Sequence, residues 1–303
     1  MKKLAKVKFE NNLKESILKA VDLIGGFSQF VKKGEVVLLK TNFNTADPFP
    51  ASSDPEFIKA VVEMVYDCGV KIVMIGDSAT MSLNTRRVME KLKIFDLEKM
   101  EQPPRIYVFE EREWTKKEIP EAKYLKKVLV TEFLERADRL ILLPCLKTHS
   151  LAKFTGSLKL SVGFMKPIQR VNLHLSRLQE KLAELNKIIN PDLIIMDARK
   201  CFINKGPAQG EIREPNLILA SDDRIAIDIE GIKIIQNFKG NSLKDINPWD
   251  LPQIKRAVEL DIGVKSEKEY EIIQYPSRSE GWRSSKKQVS SSVSPSARRT
   301  NVL

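Results

Sequence analysis

Apolar residues follow two alternating rhythms along this chain. Short runs of Val, Ile and Leu alternate with longer stretches in which apolar side chains recur every three or four positions. The first rhythm predicts strands and the second predicts amphipathic helices. Strands are expected at 5–9, 35–39, 71–75, 106–109, 127–130, 139–143, 193–196 and 216–219. Helices are expected at 13–30, 55–68, 85–92, 173–189, 223–236 and 252–260. In the fourth helix, Leu175, Leu178, Leu182, Leu185 and Ile189 form one apolar stripe, and Asn190-Pro191 ends it. Several strands are apolar almost throughout, as in sheets covered on both faces. The expected fold is therefore α/β, a mainly parallel sheet with helices on both faces. Only the region 94–130 breaks the alternation, and it reads as a small inserted subdomain or an edge hairpin. A single domain over 1–275 is expected, followed by a basic, Ser-rich, disordered tail over 276–303.

Charge changes this picture little. The net charge is +11, but Arg278, Arg283, Lys286, Lys287, Arg298 and Arg299 stand against Glu280 alone in the tail. Elsewhere basic and acidic residues intermix, with no aromatic-interleaved basic patch, so nucleic acid is not the expected partner. The chain has no apolar run long enough to span a bilayer. Its first residues turn charged too soon for a signal peptide. Cys68, Cys145 and Cys201 lie far apart, which argues against a cysteine-held zinc or iron–sulfur centre. Together these features point to a soluble protein with reduced thiols, and hence to the cytoplasm.

Candidate chemistry gathers where strands end. Lys40, Thr41, Asn42 and Asn44 follow one strand, and Gly76, Asp77 and Ser78 another. Lys147, Thr148 and His149 follow a third, and Asp197 and Arg199 a fourth. Ligands of open parallel sheets bind in the crevice outside the carboxyl ends of the strands. Strand-to-helix loops also need Asp, Ser, Thr and Asn as caps, but lysine and histidine are not cap residues. Downstream, Thr155-Gly156-Ser157-Leu158-Lys159 has the composition of a phosphate loop without the spacing of a nucleotide-binding one.

These residues suggest a small anionic ligand, a carboxylate or a phosphate. Lys40, Lys147 and Lys159 would hold its oxygens, and His149 would transfer a proton. Asp77 and Asp197 would orient groups or bind a divalent cation, although no metal identity follows from the pattern. Asn42, Ser78, Thr148, Thr155 and His174 complete the candidate binding set. His149 and His174 are the only histidines in the chain. Either is an acid/base, a metal ligand or an ordinary structural histidine. Cys145 reads as a buried, inert thiol more readily than as a partner of His149. Asp228 sits in an apolar stretch and needs a partner if buried; Lys40, Lys147 or Arg199 would serve.

From about Val37 to Gly263 the chain resembles the family called domain of unknown function 362. The matching elements are Leu39-Lys40-Thr41-Asn42, Gly76-Asp77-Ser78, Ala137-Asp138, Pro144 through His149, and Thr155 through Lys159. They continue with Gly163, His174, Asp197, Gly206-Pro207 with Gly210, Ala220-Ser221-Asp222 and Ala226-Ile227-Asp228. The resemblance implies the single α/β domain but no particular activity. Relatives often carry a ferredoxin-like module, which has no counterpart here, so no iron–sulfur cluster is expected. Where relatives show an Asn after the position of Lys159, this chain has Leu160. A more distant similarity to the nickel-pincer lactate racemase fold implies that such lysines and histidines can serve a carbonyl or hydroxy-acid substrate. The alternative to an enzyme is a redox accessory or ligand sensor without that iron–sulfur module.

Overall fold

The computed structural model describes residues 1–275. The basic Ser-rich segment 276–303 lies outside the described residues. In chain order the strands are β1 (Lys2–Lys8), β2 (Val36–Lys40), β3 (Ile72–Asp77), β4 (Arg105–Val108), β5 (Trp114–Glu118), β6 (Lys127–Thr131) and β7 (Arg139–Leu142). They continue as β8 (Cys145–His149), β9 (Lys153–Thr155), β10 (Leu193–Phe202), β11 (Ile212–Arg213), β12 (Leu217–Ser221) and β13 (Tyr270–Tyr275). The helices are α1 (Leu13–Asp22), α2 (Phe27–Phe30), α3 (Pro55–Asp67), α4 (Thr85–Lys91) and α5 (Phe133–Arg136), then α6 (Ser157–Leu160), α7 (Arg170–Leu175), α8 (Leu178–Leu185), α9 (Arg224–Gln236) and α10 (Pro252–Glu259).

The main sheet runs β13-β1-β12-β10-β7-β2-β3-β4. Every pairing along this path is parallel except the two made by β12, which is antiparallel to both β10 and β1. Side chains alternate strictly between the two faces. Val37, Leu39, Val73, Ile75, Ile141, Leu193 and Ile195 pack against Ile17 and Val21 of α1 and Phe57, Val61 and Val65 of α3. Leu38, Met74, Leu140, Leu142, Ile194 and Met196 pack on the other face, against Leu182 and Leu185 of α8 and Ile225, Ile229 and Ile232 of α9. The expected fold class is thus observed. Among the described residues, no helix is long and apolar enough to cross a membrane.

Local departures have local causes. The helix expected over 13–30 breaks into α1 and α2 at Gly25 and Gly26, whose φ angles of 124° and 81° lie outside the helical range. The helix expected over 173–189 begins earlier, at Arg170, and breaks at Arg177, where φ is 52°. Leu175 consequently leaves the apolar stripe and is 74% exposed, while Leu182, Leu185 and Ile189 stay in the core. The region 94–130 is not a separate body. Its β4 is the edge strand of the main sheet, and β5 and β6 form a hairpin that puts Val128 and Val130 into the main core. The segment after β7, expected as a loop, is the buried strand β8, paired with β9 and β10.

Asp228 illustrates how polar groups are settled inside this core. It lies on α9, and its carboxylate accepts the backbone N–H groups of Ser157 (2.6 Å) and Leu158 (3.1 Å). Its partners are therefore the amides that open α6, not Lys40, Lys147 or Arg199. Gly156 permits the approach, because a Cβ there would fall 2.3 Å from Asp228 Oδ1. Replacing Asp228 by Ala strands two buried donors. Asp228→Ala should lower unfolding stability by about 1–3 kcal/mol per stranded donor, and Asp228→Asn by less, measured by urea denaturation.

Candidate functional site

Lys40 is the last residue of β2 and Asp77 the last residue of the adjacent β3. The two are almost wholly buried and form an ion pair of 2.6 Å. Asp77 also accepts the N–H groups of Phe43 (2.7 Å) and Ser78 (2.7 Å), and Lys40 donates to the Thr41 carbonyl (2.7 Å). Burial lowers the Lys40 pKa, while Asp77 opposes that shift. Gly163 lies directly over the pair. A Cβ there would stand 2.5 Å from Lys40 Nζ and 2.6 Å from Asp77 Oδ1.

Beside this pair lies a cavity of about 50 Å³, lined by Lys40, Asn42, Asn44, Asp77, Ser78, Lys147, Thr155, Lys159, Leu160, Val162, Gly163, Arg170 and Pro207. Larger hollows elsewhere on the surface do not include these groups. Four basic side chains face the cavity against the single carboxylate of Asp77. Lys147, buried on β8, donates to the Ala51 carbonyl and is pulled down to about 8, chiefly by burial. Lys159 is partly buried on α6, and its ammonium has no hydrogen-bond or ion-pair acceptor among the described residues. Burial, with the nearby charges of Lys147 and Arg170, pulls it down to about 8 as well. Two further wall atoms lack oxygen or nitrogen partners among the described residues: Thr155 Oγ1, and Asn42 Nδ2, whose amide lies beside the Cys145 thiol.

Seven of the expected site residues therefore meet: Lys40, Asn42, Asp77, Ser78, Lys147, Thr155 and Lys159. Four do not line the cavity. His149 closes the β8–β9 turn, where its Nδ1 accepts the N–H groups of Leu151 (3.0 Å) and Ala152 (3.1 Å). That leaves the proton on Nε2. Burial and the charges of Lys159, His174 and Lys147 hold its pKa down to about 2. The imidazole is a fixed neutral donor, so it does not transfer protons near neutrality. Thr148 Oγ1 accepts the Gly206 N–H (3.3 Å) and has a structural role. His174 is exposed, with Nδ1 at 2.7 Å from the Arg170 carbonyl.

Asp197 belongs to a different cluster. Strand β10 does not end at Met196 but continues to Phe202, so Asp197 lies within the strand and shares the face of Ile195. Its carboxylate is clamped by Arg199 (2.7 and 3.0 Å), which also pairs with Asp54 (2.6 Å) and sits among the rings of Phe9, Phe49 and Phe57. The expected joint use of Asp77 and Asp197 for a divalent cation is not what the fold arranges. Each carboxylate already holds a cationic side chain. No group of three or more His, Cys, Asp or Glu suited to a metal occurs among the described residues. Cys145 is buried, and burial raises its thiol to about 11, which fits an inert residue.

Arg170 is the group that sequence reasoning misses. It is 4% exposed and donates to the carbonyls of Ser78, Ala79 and Met165 and to Ser78 Oγ. Ser78 Oγ in turn donates to Glu110, which also accepts from Thr85. Ser78 thus anchors the guanidinium rather than offering a free hydroxyl. No short-range motif marks Arg170, because its partners Ser78 and Ala79 lie about ninety residues away in the chain.

The fold is thus an α/β sandwich with a small cavity, lined mainly by cationic side chains, at the carboxyl ends of neighbouring parallel strands. The chain belongs to the family described as Domain of unknown function (DUF362), whose model matches residues 37–233. It is similar to the thylakoid-associated protein sll1697 of Synechocystis sp. (strain ATCC 27184 / PCC 6803 / Kazusa), with 30% identity over 233 residues, 74% of this chain and 70% of that protein. Among solved structures it is similar to the lactate racemase apoprotein from Thermoanaerobacterium thermosaccharolyticum, with a TM-score of 0.47 and 12% identity. That match covers 76% of this chain and 57% of the racemase, so the chain spans little more than half of that protein's length.

Two outcomes follow for the site. Lys40→Met leaves Asp77 as an unpaired buried carboxylate and should cost about 3–5 kcal/mol in urea unfolding. For His149 the folded pKa lies below the ordinary value, so the unfolded chain takes up a proton that the folded chain refuses. Stability should fall by up to about 1.4 kcal/mol per unit as pH drops below about 6.5. His149→Gln should flatten that limb, and nitrogen NMR of the His149 ring should show no titration between about pH 5 and 8.

Proposed function

We propose that this protein binds a small carboxylate or phosphate in the cavity between the ends of β2 and β3 and the β8–β9 hairpin. The excess of charge carries the reading: four basic side chains surround the cavity with one carboxylate among them, and Lys159 has no acceptor among the described residues. Burying uncompensated cations is costly, and an anion offsets that cost. Size narrows the class. A cavity of about 50 Å³ holds roughly four waters, which is room for an oxyanion or a two- or three-carbon acid and not for a nucleotide.

Each wall group has a role in this reading. Lys147 and Lys159 contact the ligand oxygens, and Asn42 Nδ2 and Thr155 Oγ1 are the neutral donors. Lys40 and Arg170 supply charge while their hydrogen bonds remain committed to the protein. If the site is catalytic, its chemistry is lysine-based, since His149 has no free basic nitrogen. Cys68, Cys145 and Cys201 are free thiols, which supports a reducing, cytoplasmic setting.

Titration calorimetry with inorganic phosphate and with oxalate tests the proposal. Both lysines sit near 8 when the site is empty, and a bound anion favours their charged forms. Binding therefore takes up protons above that pH. Affinity should weaken as pH rises from about 7 to 10, by up to about tenfold per unit for each lysine. Lys147→Met and Lys159→Met should each weaken binding about 10- to 100-fold at pH 7. Absence of binding by both anions at pH 7, in protein shown to be folded, overturns the proposal.

A further inference from the structure

Among the described residues, Lys159 is the basic group of the cavity that has no hydrogen-bond or ion-pair acceptor. Lys40 is paired with Asp77, Lys147 donates to Ala51, and Arg170 is committed to five acceptors: the carbonyls of Ser78, Ala79, Gly163 and Met165, and Ser78 Oγ. Lys159 lines the same partly open cavity, beside the charges of Lys147 and Arg170. With its pKa near 8, Lys159 exists partly as the ammonium that holds an anion and partly as the neutral amine, and a neutral amine is a nucleophile.

The rest of the wall supplies what such a nucleophile needs. Lys147 and Asn42 Nδ2 can hold a carboxylate, and the buried Thr155 Oγ1, without a partner among the described residues, can hydrogen-bond an adjacent oxygen. The cavity admits a molecule of about five or six non-hydrogen atoms. A carboxylate bound at one end, with an electrophilic carbon next to it, describes a 2-oxo acid.

We propose that Lys159 forms an imine with a two- or three-carbon 2-oxo carboxylate bound in this cavity. This rests on the anion-site reading and specifies its ligand. The nitrogen lone pair adds to the carbonyl carbon, and the C–O bond then breaks with loss of water. Both amine hydrogens end on the departing oxygen, so no oxidant, reductant or metal enters the balance. Burial, which keeps a fraction of the amine neutral near pH 7–8, favours the first step.

The test is reductive trapping of the full chain with sodium cyanoborohydride and glyoxylate or pyruvate at about pH 7.5, followed by peptide mapping. Carboxymethyl or carboxyethyl addition is expected at Lys159 at least about tenfold faster than at the exposed Lys153 on the adjacent β9. Lys159→Arg keeps the charge and should abolish the fast adduct, and saturating oxalate should slow it in the wild-type chain. Fast labelling at Lys147 in place of Lys159, or labelling no faster than at surface lysines, overturns the proposal. Oxalate calorimetry separates the two readings. Oxalate binding without a Lys159 adduct removes the imine and leaves the anion site, whereas loss of oxalate binding together with the adduct removes both.

Discussion

The buried pair of Lys40 and Asp77 is the contact on which the surrounding architecture depends. Neighbouring parallel strands carry their last side chains to the same rim, and here the two are opposite charges 2.6 Å apart. Each charge would be prohibitive alone in an apolar sheet, so neither strand end is settled without the other. Asp77 then reaches beyond the pair. By accepting the amides of Phe43 and Ser78 it fixes the directions in which the chain leaves β2 and β3. Gly163 comes over the top because no side chain would fit there. That brings the segment between α6 and α7, and with it Arg170, into place.

The arrangement is locally neutral at one point and strongly positive around it. Protein interiors normally match buried charges or neutralise them by proton loss. This cavity does some of each. Arg170 finds carbonyls, Lys147 finds one carbonyl, and both Lys147 and Lys159 surrender part of their basicity. Such frustration is tolerated in natural proteins mainly where function calls for it.

Strands, helices and much of this site are legible from the amino-acid pattern, for reasons that also explain the failures. Lys40 and Asp77 stand out because apolar strands end abruptly in charge, and parallel topology brings such ends together. Lys147 and Lys159 are visible as cations in a stretch otherwise built for the interior. Asp197 misleads because a polar residue inside a strand looks like the strand's end; only the pairing of β10 through Phe202 shows otherwise. His149 misleads because rarity resembles importance, whereas its ring nitrogen is spent on a turn. Arg170 is invisible because most of its acceptors are backbone carbonyls, near and far in the chain, which carry no sequence signature.

The bond from Lys147 to Ala51 couples the cavity wall to a distant part of the chain. Ala51 belongs to the connection between β2 and α3, a segment tied down elsewhere by Ser52 to Thr45 and Ser53 to Asn42. An ammonium has three N–H donors, and this carbonyl takes one of them. A shift of the Lys147 side chain is therefore passed directly to the overlying connection, so the wall of the cavity and the order of that segment move together.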